Sequence, residues 1–541
     1  MIDKKLKLFG INLLHIIKSP DVFKFDILGV RLYSKDVIKQ KNAAPTPAPV
    51  ITPTLDGNTI RLCLREGGGI GDSLFQLIYL KELKKMFKCP ISIDFYCRGY
   101  KCFQNVPFLN KCMQYVAGQQ VSGYDIVITS RRLWEIQIRD TEKVQALAPE
   151  FYDFYCKNKQ MITDNFAENW TDAIVSHYAS LFNKNRIEQP NIHDWLPVNR
   201  HTRKYLNWDD SAFGILEVNG LEPGKYITIC RAVDAKYSET HPKLWPLEHY
   251  NELIQKIKSK YKDIKIVQVG SDTSYGIFDG VDVCLNGQTT LEQAKVLLKY
   301  SLLHIDGEGG LVHMKRFLNG ISVVLFGPTS PAIYGYEENI NLHQKICPVS
   351  CCQISRQWAK ECMKEHISPA PCMKCLTPSF VFSAVDKYLH NISHYTYKVE
   401  ENVKKLSKSQ FAKKSVAVFG RPDEALTDLL SNTSDTFVFT ENLNTSDTEN
   451  SNDCGYLNKV RENGWDADYA TPYNVPAHDN TYDIVVIAYD KVQHINYVVL
   501  EALRVVKTGG KVICKPHFDI NIPNVNITAS ANTEFTIITK K

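Results

Sequence analysis

Three places in this chain hold residue types at spacings that could do chemistry. The first is Asp72, which closes the run Gly67-Gly68-Gly69-Ile70-Gly71-Asp72 and opens an amphipathic segment with apolar Leu74, Leu77, Ile78, Leu80 and Leu83. A carboxylate there is either a helix N-cap or a proton acceptor at the mouth of a domain, and both readings stay open. The second is Asp306-Gly307-Glu308-Gly309-Gly310-Leu311-Val312-His313. Its glycines let backbone N–H groups approach an anion at a helix N-terminus, and His313 lies one turn in, where it can donate to a diphosphate. An ordinary tight turn is the competing reading. The third is a knot of thiols: Cys347, Cys351, Cys352, Cys362, Cys372 and Cys375 fall within a short span of a chain holding 16 cysteines. Pairs at x3 and x2 spacing with a longer loop between them suit a four-thiolate site for zinc or iron, with disulfides as the rival.

The elements that must position these groups follow from the apolar patterning. Arg61 to Leu64 predicts a strand leading into the glycine turn and the Asp72 helix. No Lys-Ser/Thr follows the glycines and the G-x-G-x-x-G spacing is absent, so neither a P-loop nor a strict dinucleotide fingerprint is present. Leu302 to Ile305 leads into the second glycine turn, then a helix, then the buried run Ser322-Val323-Val324-Leu325-Phe326 and Gly327-Pro328-Thr329. Strand, turn, helix, strand is a βαβ unit, which binds ligands at the carboxyl ends of its strands. Pro90 to Phe95, Tyr124 to Thr129 (ending at Ser130-Arg131-Arg132), Tyr226 to Cys230 and Ile264 to Val269 predict further strands, and Leu247 to Lys260 a helix.

In order along the chain, Gly71-Asp72, Lys243-Leu244-Trp245-Pro246, Gly287-Gln288-Thr289-Thr290-Leu291 and the loop ending in His313 resemble glycosyltransferase family 9, the ADP-heptose heptosyltransferases. The resemblance covers roughly residues 60–390. It implies a GT-B fold of two Rossmann-like domains, with Asp72 as catalytic base. It places donor contacts at Arg231, Lys243, Thr289, Thr290, Glu308, Gly309, Gly310, His313 and Gly327. The family's usual donor loop is Asp-Ser-Gly-x-x-His; Glu308-Gly309-Gly310 departs from it and is similar to the autotransporter heptosyltransferase branch, which glycosylates proteins. That branch carries a cysteine finger holding iron, and the best matches to its ligands are Cys347, Cys351, Cys362 and Cys372. Cys352 can replace Cys351, and Cys375 can replace Cys372.

Composition bounds the remainder. With 541 residues, 44% hydrophobic and 23% charged, this is an ordinary soluble globular composition of several domains. A net charge of +5 gives no nucleic-acid signal. No apolar run reaches the roughly 18 residues that span a bilayer. The N-terminus lacks a small-residue cleavage site, so a cytoplasmic protein is expected, with a peripheral place at the inner membrane open.

Six regions are expected. Residues 1–41 form an extension in which Phe9-Gly10-Ile11-Asn12-Leu13-Leu14 recurs as Leu28-Gly29-Val30-Arg31-Leu32-Tyr33, predicting paired short strands. Residues 42–57 form a Pro-rich linker. Residues 58–215 form a Rossmann-like acceptor domain whose later part is an aromatic wall, residues 216–345 a Rossmann-like donor domain, and residues 346–392 the cysteine knuckle and a closing helix. Residues 393–541 begin with a charged helix from Tyr397 to Lys414 and include a polar insertion over 431–453. Arg504-Val505-Val506-Lys507-Thr508-Gly509-Gly510 then resembles the later half of class I S-adenosylmethionine methyltransferases. The cofactor loop of that family is unmatched at Phe419-Gly420-Arg421-Pro422. A degenerate module without S-adenosylmethionine is therefore expected, one whose removal leaves residues 1–392 working.

The expected reaction is inverting transfer of heptose from a nucleotide-heptose, ADP-heptose first, to a hydroxyl of a bacterial surface or secreted protein or glycan. Lys243, Arg231, the Gly309-Gly310 amides and His313 meet the diphosphate charge, so no catalytic Mg2+ is demanded. A lipopolysaccharide-core heptosyltransferase, a non-catalytic sugar-nucleotide-binding assembly protein and a methyltransferase with an accessory domain are the alternatives. Self-assembly into a homo-oligomer stays open.

Overall fold

A computed structural model describes residues 2–8, 11–18, 22–27, 30–36, 57–131, 133–165, 181–191, 194–202, 204–231, 241–271, 276–344, 346, 361–362, 365–367, 369–391, 397–403, 406–440, 465–489, 492, 494–515, 518–522, 525–527 and 535–541. The chain divides into two compact units, Met1–Gly57 and Asn58–Lys541. The expected linker lies outside the described residues apart from Gly57, as does the 441–453 part of the expected polar insertion; the start of that insertion is instead a largely buried strand, Asp435–Thr440, whose alternate residues Thr436 and Val438 pack inward.

In the first unit the strands Ile2–Leu8, Ile11–Lys18, Val22–Ile27 and Val30–Asp36 form an antiparallel meander in that order. The pairs Leu8↔Ile11 and Ile27↔Val30 each leave two residues between strands, the length of the commonest hairpin connection. The repeated hexapeptide therefore marks one hairpin each time it occurs.

Among the described residues three large sheets organise the second unit, beside a two-stranded one formed by Ile520–Ile522 and Val525–Ile527. The first runs Lys111–Gln114, Ile91–Cys97, Ile60–Glu66, Ile126–Arg131, Leu133–Ile138, parallel except for the last strand. Leu62 and Leu64 share a buried core with Leu74, Leu77 and Ile78 of the helix Ile70–Lys84. The second sheet is all parallel: Val283–Cys284, Lys265–Gln268, Tyr226–Ile229, Leu303–Gly307, Ser322–Phe326, Ile340–His343. Its central strands are buried along their whole length, because helices cover both faces. The helix Pro378–Asn391 closes one face against Leu247–Lys260, where Asp386 takes Lys260 at 2.5 Å and the Tyr261 hydroxyl at 2.6 Å. Two Rossmann-like domains of this kind make the GT-B fold.

The third sheet runs Tyr397–Val403, Phe535–Lys540, Val506–Lys515, Tyr482–Ala488, Ser415–Gly420, Asp435–Thr440, Asp466–Tyr469, with Phe535–Lys540 antiparallel to both neighbours. Here the charged helix expected over Tyr397 to Lys414 is overturned. Tyr397–Val403 is an edge strand, and among the described residues of this stretch only Lys408–Phe411 is helical. Tyr-Lys-Val-Glu alternates as a strand does, and the partner that realises this pattern, Phe535–Lys540, lies at the far end of the chain.

Residues 393–541 do not stand apart from the rest of this unit. Lys299 of the helix Leu291–Tyr300 bonds Glu501 at 2.7 Å and Asn474 at 3.0 Å, and Asn474 reaches the carbonyls of Leu206 and Phe317 at 2.6 and 3.3 Å. Trp208 stacks on Tyr473, and Phe213 on Tyr497. The aromatic rings that close the connection between the two Rossmann-like domains thus come partly from a loop and a helix beside the C-terminal sheet.

Candidate active site

Asp72 lies at the third position of the helix Ile70–Lys84, whose N-cap is Gly69. Its Oδ2 accepts from the Gly69 backbone N at 3.3 Å, and its Oδ1 accepts from Arg186 Nη2 at 2.7 Å. The carboxylate is thus tied to the helix start without being the N-cap itself, and its side chain keeps 30% exposure. Beside it Glu66, last residue of its strand, is buried and accepts from the Gly68 N at 2.7 Å. Burial raises the Glu66 carboxyl above the ordinary range, and the neighbouring Asp72 charge raises it further. Two carboxylates and one guanidinium share the first glycine turn.

Across from it stands the second glycine turn, the loop expected to meet the donor. Gly309 is the N-cap of the helix Gly310–Phe317, and Glu308 is buried just before it. Lys243 Nζ pairs with the Glu308 carboxylate and also bonds the Glu308 carbonyl at 3.3 Å. His313 Nε2 lies 3.4 Å from Glu308 Oε1, while Nδ1 shares a hydrogen bond of 2.8 Å with the Tyr336 hydroxyl. Burial would raise the Glu308 carboxyl, but Lys243 and His313 outweigh it and hold it at about 2. The two domains meet here. A Cβ on Gly71 would stand 2.5 Å from His313 Cδ2, and the Phe75 ring packs edge-on against the imidazole at 5.0 Å.

The other expected donor residues divide. Arg231 follows the strand Tyr226–Ile229, and its Nε donates to the Trp245 carbonyl at 2.8 Å. Trp245 is fully buried, with Nε1 on the Leu376 carbonyl at 2.7 Å, so it fixes the loop carrying Lys243. Thr290 caps the helix Leu291–Tyr300: its hydroxyl accepts from Gln293 N at 3.2 Å, and Gln293 Oε1 accepts from Thr290 N at 2.9 Å. Thr289, beside it, is half-buried. Gly327 abuts the cysteine segment, since a Cβ there would meet Met373 Sδ at 2.4 Å and Cys372 Sγ at 3.2 Å.

Of the expected metal ligands, Cys347 and Cys351, with the alternate Cys352, lie outside the described residues. Cys362 and Cys372 are half-buried and Cys375 is exposed. Among the described residues no group of three or more metal-ligating side chains forms. The surroundings of Cys362 suit a thiolate ligand, since Glu365 N donates to its sulfur at 3.4 Å. Arg132, the other strand-end arginine read from sequence, also lies outside the described residues.

Two residues escaped the sequence reading: Arg186 and Tyr336. Neither belongs to a local pattern, because each meets its partner only through the tertiary fold, Arg186 at a separation of 114 residues.

Residues 162–367 match the model of glycosyltransferase family 9 (heptosyltransferase). No curated relative matches the chain. Among solved structures, a glycosyltransferase family 9 protein from Veillonella parvula DSM 2008 is 14% identical with a TM-score of 0.42, over 62% of this chain and 98% of its own. The ADP-heptose lipopolysaccharide heptosyltransferase II of E. coli is 15% identical with a TM-score of 0.39, over 61% and 99%. The iron-containing dodecameric glycosyltransferase TibC from enterotoxigenic E. coli H10407 is 12% identical with a TM-score of 0.41, over 68% and 85%. The chain is a glycosyltransferase carrying a family 9 (heptosyltransferase) domain.

Proposed function

We propose that the protein transfers heptose, with inversion, from ADP-heptose to a hydroxyl of a bacterial surface protein or glycan. The observation that carries the reading is the meeting of Asp72 with the donor loop, where Gly71 lies against His313. Asp72 takes the proton of the acceptor hydroxyl, and the freed oxygen attacks the anomeric carbon from the side opposite the diphosphate. The bond to the diphosphate breaks, and the nucleoside diphosphate leaves with the electron pair. Lys243, Arg231 and the Gly309-Gly310 amides meet the charge that develops on it. Glu308, already the partner of Lys243, is placed to accept from sugar hydroxyls. Cys347, Cys351, Cys362 and Cys372 hold a structural iron or zinc, which pins the segment against Gly327 at the end of the donor sheet.

The test is a panel of nucleotide sugars read by release of ADP, GDP or UDP. ADP release from ADP-heptose, lost by at least roughly 10²-fold in Asp72→Asn with donor affinity kept, is the expected result. Preference for a GDP or UDP sugar would overturn the donor assignment.

A further inference from the structure

We infer that Arg186 is a positioning residue for the catalytic carboxylate: it sets the plane of Asp72 and couples that plane to the donor domain. The inference rests on the reading of Asp72 as base. Arg186 is 3% exposed at its side chain, and Nη2 donates to Asp72 Oδ1 at 2.7 Å. Nε and Nη1 make no hydrogen bond among the described residues, so the hydrogen bonding of the guanidinium is directed at Asp72. Phe75, one turn along the Asp72 helix, lies under the cation at 5.0 Å from its ring centroid. A planar fork gripped by a ring on one face and a carboxylate at its tip has little freedom to turn, and a lysine ammonium would not reproduce it.

The backbone that carries Arg186 is fixed just as closely. Asn185 Oδ1 accepts from Ile187 N at 3.0 Å and Glu188 N at 3.2 Å, and Glu188 Oε2 accepts from Asn185 N at 3.0 Å and Arg200 Nη2 at 3.2 Å. The Arg186 N–H itself donates to the Ile333 carbonyl, on the donor domain, at 2.7 Å. The guanidinium holding the base is therefore anchored to the half of the molecule that holds the sugar nucleotide. Fixing one carboxylate oxygen fixes the direction of the other, and hence the line of approach of the acceptor hydroxyl. An ion pair kept only for stability would not need this site: burying a guanidinium is costly, and its partner here remains partly in solvent.

Steady-state kinetics of Arg186→Ala, Arg186→Lys and Asp72→Asn with ADP-heptose test the inference. Arg186→Ala should lose about 10²-fold in kcat, the effect of a small misplacement of a reacting group, with donor KM little changed. Added guanidinium ion should restore turnover to Arg186→Ala but not to Asp72→Asn. Arg186→Lys should recover little. The double variant Asp72→Asn/Arg186→Ala should be no slower than Asp72→Asn alone. Wild-type kcat in Arg186→Ala beside an inactive Asp72→Asn would overturn the inference and leave the base intact. Near-wild-type turnover in Asp72→Asn would overturn the base reading itself. Should Arg186→Ala unfold, Arg186→Gln provides the same comparison, and a loss that guanidinium does not repair counts against positioning.

Discussion

Glu308 is a buried carboxylate between two basic side chains, and its energetics decide what Lys243 can do. Its carboxyl is held at about 2, so it is ionised in the folded protein under all ordinary conditions. The sign follows from linkage. The folded value lies below the unfolded one of about 4.3, so this stabilisation is complete above that pH and is lost as pH falls toward 2. A shift of roughly two units corresponds to about 3 kcal/mol. Acid unfolding followed by circular dichroism should show this loss between about pH 4.3 and 2 in the wild type and a weaker pH dependence in Glu308→Gln. Lys243→Ala should weaken donor binding by roughly 10- to 150-fold, the worth of a charge-assisted hydrogen bond of about 1.5–3 kcal/mol, measured by calorimetry. It should also leave Glu308 under-compensated. The double variant Lys243→Ala/Glu308→Gln is therefore expected to melt above Lys243→Ala alone, and a lower melting temperature would refute the pairing.

At the scale of elements, the contact between the helices Ile70–Lys84 and Gly310–Phe317 depends on the missing side chain of Gly71. An added methyl would overlap the imidazole of His313, and overpacking of this kind costs about 1–3 kcal/mol. Gly71→Ala should therefore lower both thermal stability and turnover, and Gly71→Ala/His313→Ala should regain stability by making room. Failure of the second change to help would mean that the methyl is accommodated elsewhere. The thiol segment gives a second prediction at this scale. Anaerobically purified protein should carry about one iron or zinc per chain by elemental analysis, and Cys362→Ser/Cys372→Ser should lose metal and thermal stability together. Metal-free protein with disulfide-bonded cysteines would refute a thiolate site.

These elements also show what the sequence could and could not disclose. The glycine turns before Asp72 and His313 were legible because strand, turn and helix each leave a local pattern of a few residues. Gly71 was legible as part of a family resemblance, but its reason, the imidazole resting on it, was not. Thr290 shows that one residue type serves two roles: the Thr-Thr-Leu element looks like a ligand contact and is built as a helix cap. Arg186 was invisible because an arginine between asparagine and isoleucine carries no periodic signal. Tyr397–Val403 was misread because the charges in a strand at a sheet edge resemble those of a solvated helix until its partner is known.

For the whole unit of residues 58–541, the C-terminal sheet is a structural member of the transferase. Lys299 is 7% exposed and Glu501 1%, a buried pair that Arg504 extends to Asp479 at 2.8 Å. Burial draws the Lys299 ammonium down to about 8 even with Glu501 beside it, so loss of that carboxylate would leave a cation with little to compensate it. Glu501→Gln should accordingly cost about 3–5 kcal/mol, the usual penalty for removing one partner of a buried pair. The aromatic contacts argue the same way. Trp208 and Phe213 stand between the two Rossmann-like domains in sequence, and they are covered by Tyr473, in a loop of the C-terminal part, and by His494 and Tyr497 at the start of the helix Ile495–Val505. Truncation at residue 392 would expose this cluster to water and remove the Glu501 and Asn474 bonds of Lys299. The truncated chain is expected to aggregate or to melt well below the full chain, with loss of donor hydrolysis. Calorimetry of the full chain should show residues 58–541 unfolding in one transition, because no part of the aromatic seam survives alone. A stable, active fragment ending at 392, or a separate transition for the C-terminal sheet, would show that this sheet folds independently of the transferase it covers.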